Sequence, residues 1–167
     1  MDWSEADFLR LFDDHHLPLF RFAYRLTGSA ADAEDIVQEC FLELLRPACS
    51  YDPARTPIRT YLFGVVRNQS LKRLRKKEYG PDPGHGPSPE REVIRAEMED
   101  VVARAVMELP ETQREVLILA HYEQMPLAEI ARVLDLEVTA VKSRLQRARA
   151  GLKETLAAFA PGLERKQ

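Results

Sequence analysis

The chain predicts an all-α fold of two small helical domains joined by a Pro/Gly-rich linker, on three observations. Apolar residues recur at helical spacing through most of the 167 residues, and no stretch alternates as a strand requires. Residues 80–89 hold four prolines and three glycines, a composition that neither a helix nor a strand ladder accepts. Positive charge gathers into two runs, one on each side of that segment. Residues 67–77 carry six cations and no acid, and residues 142–153 carry five cations and no acid. The expected boundaries are 1–78 for the first domain, 79–91 for the linker, 92–160 for the second domain and 161–167 for a tail.

Four helices are expected before the linker. Ser4, followed three residues later by Asp7, has the form of a helix cap, and Phe8, Leu11 and Phe12 give the first helix an apolar stripe. Pro18 marks a boundary, because a proline inside a helix loses a hydrogen bond and crowds the preceding turn. A second helix carries Leu19, Phe20, Phe22, Ala23 and Leu26 and stops at Gly28. A third spans about 31–45, with Ile36, Val37, Cys40, Phe41, Leu44 and Leu45 inward and Asp32, Glu34, Asp35, Glu39 and Glu43 outward. A fourth begins near Pro57, a good first-turn residue, and runs through Tyr61, Leu62, Val65, Val66, Leu71 and Leu74 into the basic end.

After the linker, residues 93–108 read as a helix, and Leu109-Pro110 opens another through Val116, Leu117 and Leu119. Residues 127–149 carry the most information. Leu127, Ile130, Ala131 and Leu134 keep the spacing of a helix with one buried face. Leu136 and Val138 sit in a tight turn, and Thr139 is placed to cap a second helix. Val141, Leu145 and Ala148 form that helix's apolar stripe, while Lys142, Ser143, Arg144, Arg147 and Arg149 lie off it. A helix held from behind, with cations and hydroxyls in front, is what the major groove of DNA accepts.

Several classes are excluded. No apolar run approaches the roughly 18 residues that span a bilayer, and the acidic N-terminus does not read as a secretory signal, so a cytoplasmic protein without membrane insertion is expected. Cys40 and Cys49 form no disulfide framework; Cys40 falls in an apolar helical pattern and packs as a small hydrophobe. No Cys or His pair has zinc-ligand spacing, so no metal site is expected. The one Gly-rich segment is the Pro-laden linker, which lacks the Lys-Ser/Thr and helix of a phosphate-cradling loop, and no nucleophile–base pair stands out. No cofactor and no catalytic residues are expected, and the protein is not read as an enzyme. The net charge of −3 hides two basic patches, and the acid-rich stretch between them limits nonspecific binding to nucleic acid.

Three segments carry a family resemblance: Asp32-Ala-Glu-Asp-Ile-Val-Gln-Glu-Cys-Phe-Leu-Glu-Leu-Leu45, Thr60-Tyr-Leu-Phe-Gly-Val-Val-Arg-Asn68 with the basic run after it, and Leu109-Pro110 through Leu152. In this order and spacing they resemble the extracytoplasmic-function (ECF) sigma factors of bacterial RNA polymerase, in the sigma-70 family, across nearly the whole chain. The resemblance implies an alternative sigma factor that binds core polymerase and directs initiation from −35 and −10 promoter elements. It implies a sigma domain before the linker and a −35-reading helix-turn-helix domain after it. Asp35, Gln38 and Glu39 would dock on core polymerase. Tyr61, Arg67, Asn68, Lys72, Arg73 and Arg75 would engage the melted −10 element, where phosphate neutralisation and surfaces for unstacked bases are both needed. Thr139, Lys142, Ser143, Arg144 and Arg147 would engage the duplex −35 element. An anti-sigma factor is implied as a further partner. The family more often has Trp where Tyr61 stands, Phe at Ile58, Asp at Lys72 and Gly-Thr at Thr139-Ala140, departures that bear on promoter sequence rather than fold. The alternative reading is a stand-alone helix-turn-helix regulator, which would bind duplex tightly without polymerase.

Overall fold

The computed structural model describes residues 3–77 and 101–159. They fall into two compact units. The first contains α1 (Glu5–Thr27), α2 (Ala30–Leu44) and α3 (Ile58–Lys77), and each helix packs on the other two. The later helices are α4 (Val101–Met107), α5 (Glu111–Leu117) running into a π-helical turn at Ile118–Tyr122, α6 (Leu127–Leu134) and α7 (Val138–Phe159). Both α4 and α5 pack on α7. The linker 79–91, the tail 161–167 and most of the helix expected over 93–108 lie outside the described residues.

Residues 3–77 form three helices, where four were expected. Helix α1 continues through Pro18. An interior proline costs about 3 kcal/mol, but Leu19, Phe22 and Leu26 beyond it are fully buried, each worth about 1.5–3 kcal/mol. Continuing the helix keeps them in register with Leu11 on one face, and that burial outweighs the proline. The ends are set by local chemistry. Ser4 Oγ accepts from the Asp7 amide at 3.1 Å and Ser29 Oγ from the Asp32 amide at 3.2 Å, each satisfying a donor that the first turn leaves without a partner. Gly28 ends α1 at φ 69°, a left-handed conformation that costs glycine little. Phe22 packs on Phe63 with ring centroids 5.2 Å apart, and Phe12 on Phe41 at 4.9 Å. Cys40, next to Phe41 in sequence, is buried, and burial, with Glu43 and Cys49 adding to it, pushes its thiol up to about 12. It is a packing residue, as expected.

In the second unit, Arg114 Nη2 donates to the carbonyls of Met107 at 2.7 Å and Leu109 at 3.0 Å, fixing the corner between α4 and α5. Gly151 marks a close approach to this corner: a methyl there would stand 3.1 Å from Leu109 Cδ2 and 3.2 Å from Gln113 Oε1. The turn between α6 and α7 is taken by Asp135 at φ 53°, a conformation that Asp tolerates better than most residues. With the reversal made so early, α7 starts at Val138, and the Val141 amide bonds the Glu137 carbonyl at 3.1 Å. Thr139 is therefore inside the helix, not its cap.

Candidate polymerase and nucleic-acid interfaces

Helix α2 buries Ile36, Val37, Cys40, Phe41 and Leu44. The opposite face carries Asp35, half-buried, with Gln38 and Glu39 exposed. Leu42 is 57% exposed and Leu45 51% exposed on that same side. Leu45 was expected inside; Phe41 and Leu44 already fill the buried stripe, so the leucines between and beyond them turn to solvent. Leu42 stands mid-face, one turn from Gln38 and Glu39, an apolar centre within a polar ring. That is the anatomy of a surface that binds a partner. The signal was legible in Phe-Leu-Glu-Leu-Leu, where more apolar residues occur than one stripe holds.

Asp32 was expected outward and is buried, its side chain 10% exposed. It receives Lys77 Nζ at 2.8 Å and Arg73 Nη1 at 3.3 Å, and Arg73 also lies 3.7 Å from Asp35 Oδ2. The acidic start of α2 thus meets the basic end of α3, each charge placed where the helix dipole favours it. Burial acts to raise the Asp32 carboxyl, but Lys77 above all, with Ser29 and Arg73, holds it below its ordinary value.

The basic run of α3 is divided by this network. Tyr61, Asn68, Lys72 and Arg75, spaced by seven, four and three residues, fall along one strip of the helix, and Asn68, Lys72 and Arg75 are exposed. Arg73 and Lys77 lie on the side that faces α2. Arg67 is half-buried at the edge of the strip. Tyr61 is fixed from the preceding loop: its hydroxyl is 3.3 Å from Ser50 Oγ and 3.8 Å from Cys49 Sγ, and its ring centroid is 5.1 Å from that of Tyr51. The strip therefore begins with an oriented aromatic ring and ends in exposed positive charge at Lys72 and Arg75.

On α7, Val141, Leu145 and Ala148 are buried. Thr139, Lys142, Ser143 and Arg147 are exposed, and so is Gln146, which sequence reasoning passed over although it stands three residues after Ser143 on the same face. The Ser143 hydroxyl donates to the Thr139 carbonyl at 3.1 Å. Arg144 is set apart from this row: its Nη1 lies 3.3 Å from Oε1 of Glu115 on α5. No helix among the described residues is long and apolar enough to cross a membrane.

Two family models and several relatives match this chain. The family model for Sigma-70 region 2 matches residues 11–79, and that for Sigma-70, region 4 matches residues 99–152. The ECF RNA polymerase sigma factor SigL of Mycobacterium tuberculosis (strain ATCC 25618 / H37Rv) is 36% identical over 162 residues, covering 92% of this chain and 91% of the relative. The ECF RNA polymerase sigma factor SigW of Bacillus subtilis (strain 168) is 27% identical over 168 residues, covering 90% and 88%. The solved structure of CnrH in complex with the cytosolic domain of CnrY is 28% identical, with a TM-score of 0.73, over 93% of this chain and 90% of that one. Matches to both sigma regions in order favour this family over a stand-alone regulator. The chain belongs to the extracytoplasmic-function sigma factors of the sigma-70 family, alternative sigma factors that direct promoter-specific transcription initiation.

Proposed function

We propose that three helices divide the work of initiation. The outer face of α2 docks on core RNA polymerase through Asp35, Gln38 and Glu39, with Leu42 as the apolar anchor that the polar ring surrounds. The solvent strip of α3 takes the melted −10 element: Lys72 and Arg75, with Arg67 at the strip's edge, neutralise phosphate, Tyr61 offers a ring for stacking, and Asn68 offers an amide to a base edge. Arg73 belongs to this helix's scaffold rather than to the strip. The exposed row of α7 reads the −35 duplex through Thr139, Lys142, Ser143 and Arg147. Two domains, 1–78 and 92–160, would carry these roles on either side of the linker 79–91. The protein acts in the cytoplasm, where the polymerase is, and supplies no chemistry of its own; catalysis belongs to the polymerase. An anti-sigma factor is a fitting further partner, and a protein held on this fold, as CnrH holds the cytosolic domain of CnrY, supports that reading.

The observation that carries the proposal is the segregation of exposed residues: a Leu-centred acidic face on α2 and cationic rows on α3 and α7. Separate assays test each part. Gln38→Ala should weaken core binding without altering promoter choice, and Arg147→Ala should weaken −35-dependent initiation without altering core binding. The reverse pattern would show the surfaces to be misassigned.

A further inference from the structure

Arg144 lies in the basic run of the recognition helix, yet its guanidinium points away from the exposed row. Nη1 is 3.3 Å from Oε1 of Glu115. The Glu115 side chain is 1% exposed and that of Arg144 is 26% exposed. Glu115 sits on α5 beside Val116, Leu117 and Ile118, all closed to solvent. That buried carboxylate is met by the Arg144 guanidinium, which donates to it. Arg144 Nη1 is the cation on that carboxylate, and a contact to a DNA base would have to be made at the cost of this pair.

We propose that Arg144 is a positioning residue for −35 reading and not a reader. The proposal rests on α7 being the −35 helix. The apolar stripe Val141, Leu145 and Ala148 presses α7 onto the unit, but apolar contacts have little directional preference. The Arg144–Glu115 pair is directional: it fixes the rotation of α7 about its axis, and so aims Thr139, Ser143, Gln146 and Arg147 outward together.

The test uses holoenzyme assembled from the full-length protein and core polymerase, with promoter affinity measured against salt concentration. Four proteins are compared: wild type, Arg144→Met, the double variant Glu115→Leu/Arg144→Met, and Arg147→Met. Arg144→Met removes the cation from the buried carboxylate and should weaken −35-dependent binding about tenfold. The double variant replaces the pair by apolar side chains of similar volume and should recover to within about threefold of wild type. Its slope of log affinity against log salt should equal the wild-type slope, whereas a lost phosphate contact lowers the slope by about 0.9. Arg147→Met serves as the control for a residue on the exposed row. A double variant as weak as Arg144→Met, or with a slope lower by about 0.9, overturns the proposal and makes Arg144 a DNA contact. Should these variants not fold, Arg144→Lys decides. On promoters varied one −35 base pair at a time, weakening spread over all sequences at unchanged slope supports the proposal, and unchanged binding or a loss confined to one base pair overturns it. A wild type whose binding ignores the −35 element overturns the reading of α7 itself, which is a different failure.

Discussion

Asp32→Asn, which keeps the shape of the side chain and removes its charge, tests the joint between α2 and α3. The carboxylate is nine-tenths covered, while Arg73 and Lys77 are each about one-third exposed. Breaking a fully buried pair costs about 3–5 kcal/mol, and an exposed one about 0.2–1 kcal/mol. Half-screened cations on a buried anion place the cost between these, at about 1–2 kcal/mol. For a unit of this size that lowers the midpoint of thermal unfolding by roughly 5–15 °C. The pH dependence identifies the cause. The folded carboxyl titrates below its ordinary value of 3.8. A group whose pKa is depressed by folding stabilises fully above its unfolded pKa and loses that contribution as pH falls through the folded one. The gap between wild type and Asp32→Asn should therefore be full at pH 7 and close below about pH 4. Thermal or urea unfolding of the two proteins across this range measures it. A gap that stays constant into acid would mean that the loss is one of packing, and no gap at pH 7 would mean that solvent screens the joint.

Leu42→Ser should lower affinity for core polymerase about five- to tenfold in a binding titration while leaving the unfolding midpoint unmoved, because the side chain is already exposed. Pro18→Ala returns an amide donor to the middle of α1 and should stabilise the protein by about 1–3 kcal/mol in urea unfolding; a loss of stability would mean that the ring itself packs usefully. Asn68→Ala should flatten base preference at one −10 position in a randomised-promoter initiation assay, with core binding intact, since an amide that reads a base edge contributes discrimination rather than overall affinity.

The helices and their buried faces were legible because 3.6-residue spacing reports directly on burial, and the order of the three motifs was legible as a family pattern. What escaped the sequence was decided by neighbours distant in the chain. Pro18 looked like an end because its penalty is local, while the burial that overrides it comes from packing on α2 and α3. Asp32 looked like one more acid on a solvated face, since nothing near it in sequence announces Arg73 and Lys77, more than forty residues on. Arg144 looked like Arg147, because both are cations off the apolar stripe, and only the buried Glu115 on another helix separates them. Leu42 and Gln146 were legible in principle: each stands where the helical count puts an exposed face.

The central claim is most directly tested by transcription in vitro with purified bacterial core polymerase on promoters from the host, with and without this protein. Specific initiation that appears only with the protein, from start sites sharing −35 and −10 elements, is the expected result. Tight duplex binding by the protein alone, with no initiation when core polymerase is added, would contradict it.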